Sequence, residues 1–211
     1  MLELADKNGA RFFHASTSEV YGDPEVHPQP ETYKGSVNPY GPRSMYDESK
    51  RYAEALIYTY KKKYKINSCI GRFFNTYGPR MDPNDGRVVS NFIVQALKGE
   101  PLTIYGDGSQ TRSFCYVDDL IIGIIKLIES AESQPINLGN PSEFTINDLA
   151  KVITKKLNKT ATFKYMPLPG DDPMQRRPNI DRARNILNWH PVVSLDEGLD
   201  KTIKYFQDFV F

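Results

Sequence analysis

Cysteine is scarce in this chain, with two among 211 residues. Cys69 and Cys115 both stand in apolar, strand-like settings that suit buried reduced thiols, so a disulfide framework is not expected and a reducing compartment is compatible. Histidine is equally sparse: His14, His27 and His190 are scattered without metal-ligand spacing, and no metal site is expected. Neither sign of charge is in excess, the net being +1, which argues against a nucleic-acid or membrane-surface partner. The one basic cluster, Lys61-Lys62-Lys63, reads as a solvated helix end. Long hydrophobic runs are missing as well. The longest, near Leu120 to Ile128, is broken by Gly123 and Lys126 and falls far short of the ~20 residues that cross a bilayer. The first nine residues lack the basic region and apolar core of a signal peptide.

What is present is a globular chain, 39% hydrophobic, long enough to bury one sizeable core or a core plus a smaller lobe. Leu2, Ala5 and Lys7 followed by Gly9 read as the end of a helix. Arg11 to Ala15 is an apolar run that fits a buried parallel strand. Prolines and glycines from Gly22 to Pro42 spell a long loop, and long ordered loops usually carry function. Ala53, Leu56, Ile57, Tyr60 and Tyr64 recur at helical spacing within a helix over 46–64, and Ile66 to Phe74 reads as the next strand. This alternation predicts a parallel sheet with helical crossovers. Further on, helices are expected over 88–97, from Asp118 or Asp119 to about Glu129, over 146–157 and over 195–209. Strands are expected over 102–105, 113–117, 135–138 and 162–165.

Ser16-Thr17-Ser18-Glu19 follows the first strand directly, at the sheet edge outside which ligands of open α/β folds bind. The same residue types also form caps and turns. Tyr46 and Lys50 are four apart and share one helix face, where an ammonium near a phenol favours the phenolate and so a base near neutral pH. Tyr58 and Lys62 repeat the spacing. Position separates the pairs, since only Tyr46 lies at the start of its helix, just after the long loop.

Together with Arg72-Phe-Phe-Asn-Thr-Tyr-Gly-Pro-Arg80, Asn84 to Phe92, Gly106 to Arg112, Asn137-Leu-Gly-Asn140 and Arg176 to Ile180, these motifs resemble the nucleotide-sugar branch of the extended short-chain dehydrogenase/reductase family over nearly the whole chain. The resemblance implies NAD as cofactor, a UDP-sugar as substrate and a homodimer for the full-length protein. It makes Tyr46 the base at the sugar C4 hydroxyl, Lys50 the holder of the nicotinamide ribose and Thr17 the hydroxyl that polarises the C4 oxygen. Thr76 and Arg87 match positions near the cofactor. Asn75, Tyr105 and Arg112 match substrate-binding positions, with residues 102–105 along the uracil. Arg176 matches an arginine near the sugar and diphosphate. Related dehydratases place an Asp-Glu pair after the threonine; here it is Ser18-Glu19. Without that aspartate there is no acid to expel a C6 hydroxyl, whereas a keto group at C4 lets a C5 carboxylate leave as carbon dioxide. The expected reaction is decarboxylation of UDP-glucuronate to UDP-xylose, with Ser18 and Glu19 in the decarboxylation and C5 reprotonation steps. Dehydration or C4 epimerisation is the alternative on the same fold.

No G-x-G-x-x-G or G-x-x-G-x-x-G occurs, and the acidic residue that would hold the adenosine ribose is missing too. The expected fold is therefore the carboxy-terminal part of a Rossmann-type doubly wound sheet with a smaller α/β substrate-binding lobe. Residues 1–85 are read as the remaining half of the NAD-binding domain. Residues 86–211 are read mainly as the sugar-nucleotide lobe, with about 113–138 returning to the first domain. A truncated chain is expected, with an apolar edge and uncovered faces. A non-catalytic nucleotide-sugar-binding fragment is the reading from another class. Relatives of this kind are cytoplasmic, or Golgi-lumenal where an anchor precedes the catalytic part.

Overall fold

The computed structural model describes residues 1–160 and 162–209. Helix α1 (Leu2–Lys7), strand β1 (Phe12–Thr17), a 3-10 turn (Ser18–Tyr21), the long helix α2 (Ser44–Tyr64) and strands β2 (Ser68–Phe73) and β3 (Thr76–Tyr77) come first. Next are α3 (Val88–Lys98), β4 (Leu102–Tyr105), β5 (Thr111–Ser113), β6 (Cys115–Tyr116), α4 (Val117–Glu129), β7 (Pro135–Leu138) and β8 (Glu143–Thr145). Then follow α5 (Ile146–Lys156), β9 (Phe163–Met166), β10 (Gln175–Arg176), α6 (Asp181–Leu187) and α7 (Leu195–Phe209).

The main sheet runs β1-β2-β7, all parallel. Successive residues of a strand face opposite sides, and β2 shows this directly. Cys69 packs with Leu127, Leu138, Ala183 and Trp189 from the α4 and α6 side, while Ile70 packs with Leu2, Ile57 and Ile66 on the α1 and α2 side. Helices thus cover both faces, as a doubly wound sheet requires. A second core gathers Phe92, Ile93, Leu149, Ile153, Leu199 and Phe206 from α3, α5 and α7. Around it lie β5 between β10 and β8, and the parallel pairs β4-β9 and β3-β6.

The long loop is held to the sheet by a polar network. Arg72 donates from Nε and Nη2 to the two Glu54 carboxylate oxygens at 3.0 and 2.6 Å, and from Nη1 to the Tyr21 hydroxyl at 2.9 Å and the Glu31 carbonyl at 3.1 Å. Tyr21 donates in turn to Asn137 Oδ1 at 2.7 Å, and Asn137 Nδ2 donates to the Gln29 carbonyl at 2.9 Å. Burial pushes the Tyr21 hydroxyl up to about 12 despite the neighbouring Arg72 cation. Arg72 and Asn137, two of the motif residues, therefore fasten the loop.

Several boundaries differ from the sequence reading. The strand expected over 113–117 splits into β5 and β6, and α4 begins at Val117 without a side-chain cap. Asp119 does not open the helix, because its carboxylate accepts from the backbone N–H groups of Val192 and Val193 at 3.0 and 2.9 Å. Trp189 has the packing role expected of it: it is buried and donates to the Asp119 carbonyl at 2.9 Å. β1 is not the buried strand anticipated. Among the described residues it pairs on one side only, so Phe12, Phe13 and His14 are half-buried and Ala15 is exposed. On α4, Ile121, Ile122, Ile125 and Ile128 stand exposed. Both cysteines are free and buried, and burial, with help from Asp119, raises the Cys115 thiol to about 12. Among the described residues no helix is long and apolar enough to cross a membrane.

Removing one partner of a mostly buried ion pair leaves the other uncompensated. Arg72→Met is expected to lower the stability measured by urea unfolding by about 3–5 kcal/mol, and adding Glu54→Leu to recover most of that loss. An unchanged urea midpoint for the single variant would show that the network does not hold the loop.

Candidate active site

Parallel β1 delivers its last residues to the carboxyl edge of the sheet, and the chain there turns at once into the 3-10 turn. The Thr17 hydroxyl accepts from the Glu19 N–H at 3.2 Å, capping that turn. Gly22 ends it with φ +61°, and a Cβ there would lie 1.9 Å from the Ser36 carbonyl oxygen, so a glycine is required. The Ser/Thr cluster is thus both a cap and part of a site.

A cleft of about 790 Å³ opens over this edge. Its lining brings together Thr17, Ser18, Glu19, Tyr46, Lys50, Asn75, Thr76, Arg87, Tyr105 and Arg112. Ten of the eleven predicted site residues therefore converge on one cavity. Tyr46 is half-exposed on the first turn of α2, and Lys50 one turn later donates from Nζ to the Ala15 carbonyl at 2.8 Å, with that nitrogen 5.7 Å from the Tyr46 ring centroid. Lys62 stands 5.9 Å from the Tyr58 ring, so the local geometry of the two pairs is the same. Placement alone distinguishes them. Tyr58 borders a separate groove of about 720 Å³ behind α2.

Arg176 is the exception. It is 1% exposed and absent from the cleft lining, because its donors are already engaged. Nη1 donates to Ser18 Oγ at 3.1 Å and Glu19 Oε1 at 2.6 Å, and Nη2 to the Gly22 carbonyl at 2.7 Å. The parallel pairing of β10 with β5 sets Arg176 opposite Arg112. Arg112 is also buried, and its Nη2 donates to Asp172 Oδ2 at 2.9 Å. Neither arginine is a solvated surface residue.

Sequence reasoning missed Arg43 and Asp47. Arg43 Nη2 donates to Glu19 Oε2 at 2.5 Å, so two arginines hold one carboxylate. Burial opposes ionisation of Glu19, but the Arg176 and Arg43 cations outweigh it and keep its carboxyl below the ordinary range. Asp47 is buried, its Oδ1 has no partner among the described residues, and burial with the nearby Glu19 charge raises its carboxyl. Arg43 sits three residues before Tyr46 in a proline-rich loop, where no periodicity marks it. Asp47 carries no spacing signal either. Asp172 and the prolines Pro169 and Pro173, which also line the cleft, lie in an irregular segment.

A tyrosine and lysine on the crossover helix, facing a Thr-Ser-Glu turn at the carboxyl edge of a parallel sheet, define the class as an extended short-chain dehydrogenase/reductase. The chain belongs to the family described as GDP-mannose 4,6 dehydratase, whose model matches residues 1–202. It is 56% identical over 206 residues to UDP-glucuronic acid decarboxylase 1 of Danio rerio, a match covering 98% of this chain and 49% of that protein. Among solved structures, a UDP-glucose 4-epimerase from Thermotoga maritima with UDP-glucose superposes with a TM-score of 0.93 at 30% identity, covering 100% of this chain and 68% of that one. A UDP-glucuronic acid 4-epimerase from Bacillus cereus, in complex with UDP-glucuronic acid and NAD, gives 0.87 at 32% identity over 98% of this chain and 64% of that one. The chain spans about half the length of the decarboxylases it matches.

A carboxyl whose folded pKa is depressed stabilises the fold above its unfolded pKa and loses that contribution as pH falls through the folded value. Against Glu19→Gln, the wild-type chain is expected to hold its full stability advantage above the ordinary value of 4.5 and to lose it progressively below. Denaturant titrations across that window measure it. A gap that widened on acidification would show that Glu19 is not held ionised.

Proposed function

We propose that the full-length protein decarboxylates UDP-glucuronate to UDP-xylose through a 4-keto sugar. The observation that carries this reading is the Thr17-Ser18-Glu19 turn beside Tyr46 and Lys50, with no aspartate at position 18. In this reading residues 1–85 belong to the NAD-binding part, and residues from 86 onward mainly to the sugar-nucleotide part.

The donor set at the end of β1, formed by the Thr17 hydroxyl, the Tyr46 phenol and the Lys50 ammonium, suits the ribose and nicotinamide end of NAD. The chain offers no glycine-rich turn for the diphosphate. NAD, when bound, supplies the hydride acceptor and later the hydride donor at C4. Tyr46 takes the C4 hydroxyl proton, and Thr17 polarises the oxygen on which negative charge develops. Lys50, pinned by the Ala15 carbonyl, keeps a positive charge beside the phenol. Once C4 is a ketone, breaking the C5–C6 bond releases carbon dioxide and leaves its electron pair delocalised into the C4 carbonyl. A proton drawn from solvent by way of the Ser18 hydroxyl, which lines the cleft, then returns to C5. Glu19, held ionised by two arginines, is a poor donor for that step and acts instead as an acceptor that holds Arg176, which in turn donates to Ser18. Asn75, Tyr105 and Arg112 bind the sugar nucleotide, with Arg112 engaging the diphosphate once Asp172 yields. Thr76 and Arg87 lie toward the cofactor.

With UDP-glucuronate and NAD, the full-length protein is expected to release carbon dioxide and form a pentose nucleotide. Turnover of dTDP-glucose or UDP-glucose without carbon dioxide release would contradict the reading. Tyr46→Phe is expected to lower kcat by roughly 10²–10⁴-fold while UDP-glucuronate binding, read by calorimetry, is retained. The isolated 211-residue chain is expected to bind UDP without turnover. Turnover by it would show that these residues hold the whole cofactor without a glycine-rich turn.

A further inference from the structure

Glu19 carries one negative charge and touches two permanent cations, Arg43 and Arg176. These three side chains together carry one excess positive charge, and Arg112, which also lines the cleft, is paired with Asp172. The Asp47 carboxyl also lies nearby, raised by burial and by the Glu19 charge and lowered by Arg43. An excess cation on a partly dry wall favours an anionic ligand.

The two arginines are not equivalent. Arg176 is buried and committed to Ser18, Glu19 and Gly22. Arg43 lines the cleft, its side chain is 36% exposed, and its one hydrogen bond among the described residues runs from Nη2 to Glu19. A guanidinium has five N–H donors, so most of its capacity is unused. It also stands at the start of α2, three residues before Tyr46, and so close to the sugar carbons on which that phenol acts.

Resting on the decarboxylase reading, we propose that Arg43 is the specificity-determining residue of the cleft, receiving the C6 carboxylate of a UDP-hexuronate on its unused N–H groups while Arg176 stays on Glu19. The carboxylate then completes the charge balance that Glu19 leaves open. A sugar with a neutral hydroxymethyl group at C6 leaves the cation without its anion, and is discriminated against for that reason. Arg43 releases the substrate carboxylate as neutral carbon dioxide forms, so the interaction weakens as the C5–C6 bond breaks and promotes departure of the product rather than retention of the acid.

The test measures calorimetric affinities of the full-length protein with NAD for UDP-glucuronate, UDP-glucose and UDP, carrying Tyr46→Phe throughout so that UDP-glucuronate is not consumed, with Arg43 intact and as Arg43→Gln and Arg43→Lys. Loss of a charge-assisted hydrogen bond predicts that Arg43→Gln weakens UDP-glucuronate by about tenfold to a hundredfold, with UDP-glucose and UDP changed less than about twofold. Arg43→Lys keeps the charge without the planar fork and is expected to fall between, which keeps the test open should the glutamine variant fold poorly. Equal weakening of all three ligands, or none of UDP-glucuronate, overturns the proposal. If the wild type itself neither prefers UDP-glucuronate over UDP-glucose nor releases carbon dioxide from it, the decarboxylase reading fails instead.

Discussion

The structure turns on one half-buried carboxylate. Glu19 is drawn by Arg176 from the carboxy-terminal part of the chain and by Arg43 from the loop ahead of α2. Because Arg176 also holds Ser18 Oγ and the Gly22 carbonyl, the same charge cluster fixes the turn after β1, the glycine that ends it and the strand β10 beside Arg112. A carboxylate in this setting is costly to desolvate alone and persists because two cations share it. The cleft gains a wall in which Arg43 stands three residues ahead of Tyr46. The same three side chains thus tie the turn after β1 to the loop ahead of α2 and to β10.

A second anchor, the Arg72, Glu54, Tyr21 and Asn137 network, explains how a loop rich in proline and glycine becomes ordered without secondary structure. Its backbone groups find partners in Asn137 and Arg177, and the Arg72 side chain reaches the Glu31 carbonyl. Buried polar networks specify one arrangement when every member is satisfied. Here that arrangement carries Arg43 to the mouth of the cleft. The exposed isoleucines of α4 and the open side of β1 mark surfaces where no such satisfaction is found among the described residues.

Much of this was legible in the sequence, and the reasons are local. Helical spacing marked α2 and the α3, α5 and α7 segments, and the position of Tyr46 after the long loop separated it from Tyr58. That argument needed no contact information, and the two pairs indeed have the same local geometry. The charge partners were not legible, because they join residues far apart in the chain: Arg176 reaches Glu19 across 157 positions, and Arg43 is flagged by no periodicity. Asp119 misled the reading of α4, since a carboxylate at a helix start resembles a cap and its acceptors were taken by backbone groups more than 70 positions away. Arg176 is buried against Ser18, Glu19 and Gly22, a placement set by packing that its motif does not specify.

The central claim is that the sugar loses carbon dioxide at C6 and regains a proton at C5. Running the reaction of the full-length protein with UDP-glucuronate and NAD in deuterium oxide, followed by NMR of the product, tests it directly. The account predicts a five-carbon sugar nucleotide carrying one deuterium at C5. A six-carbon product, whether epimerised at C4 or dehydrated at C6, would contradict it.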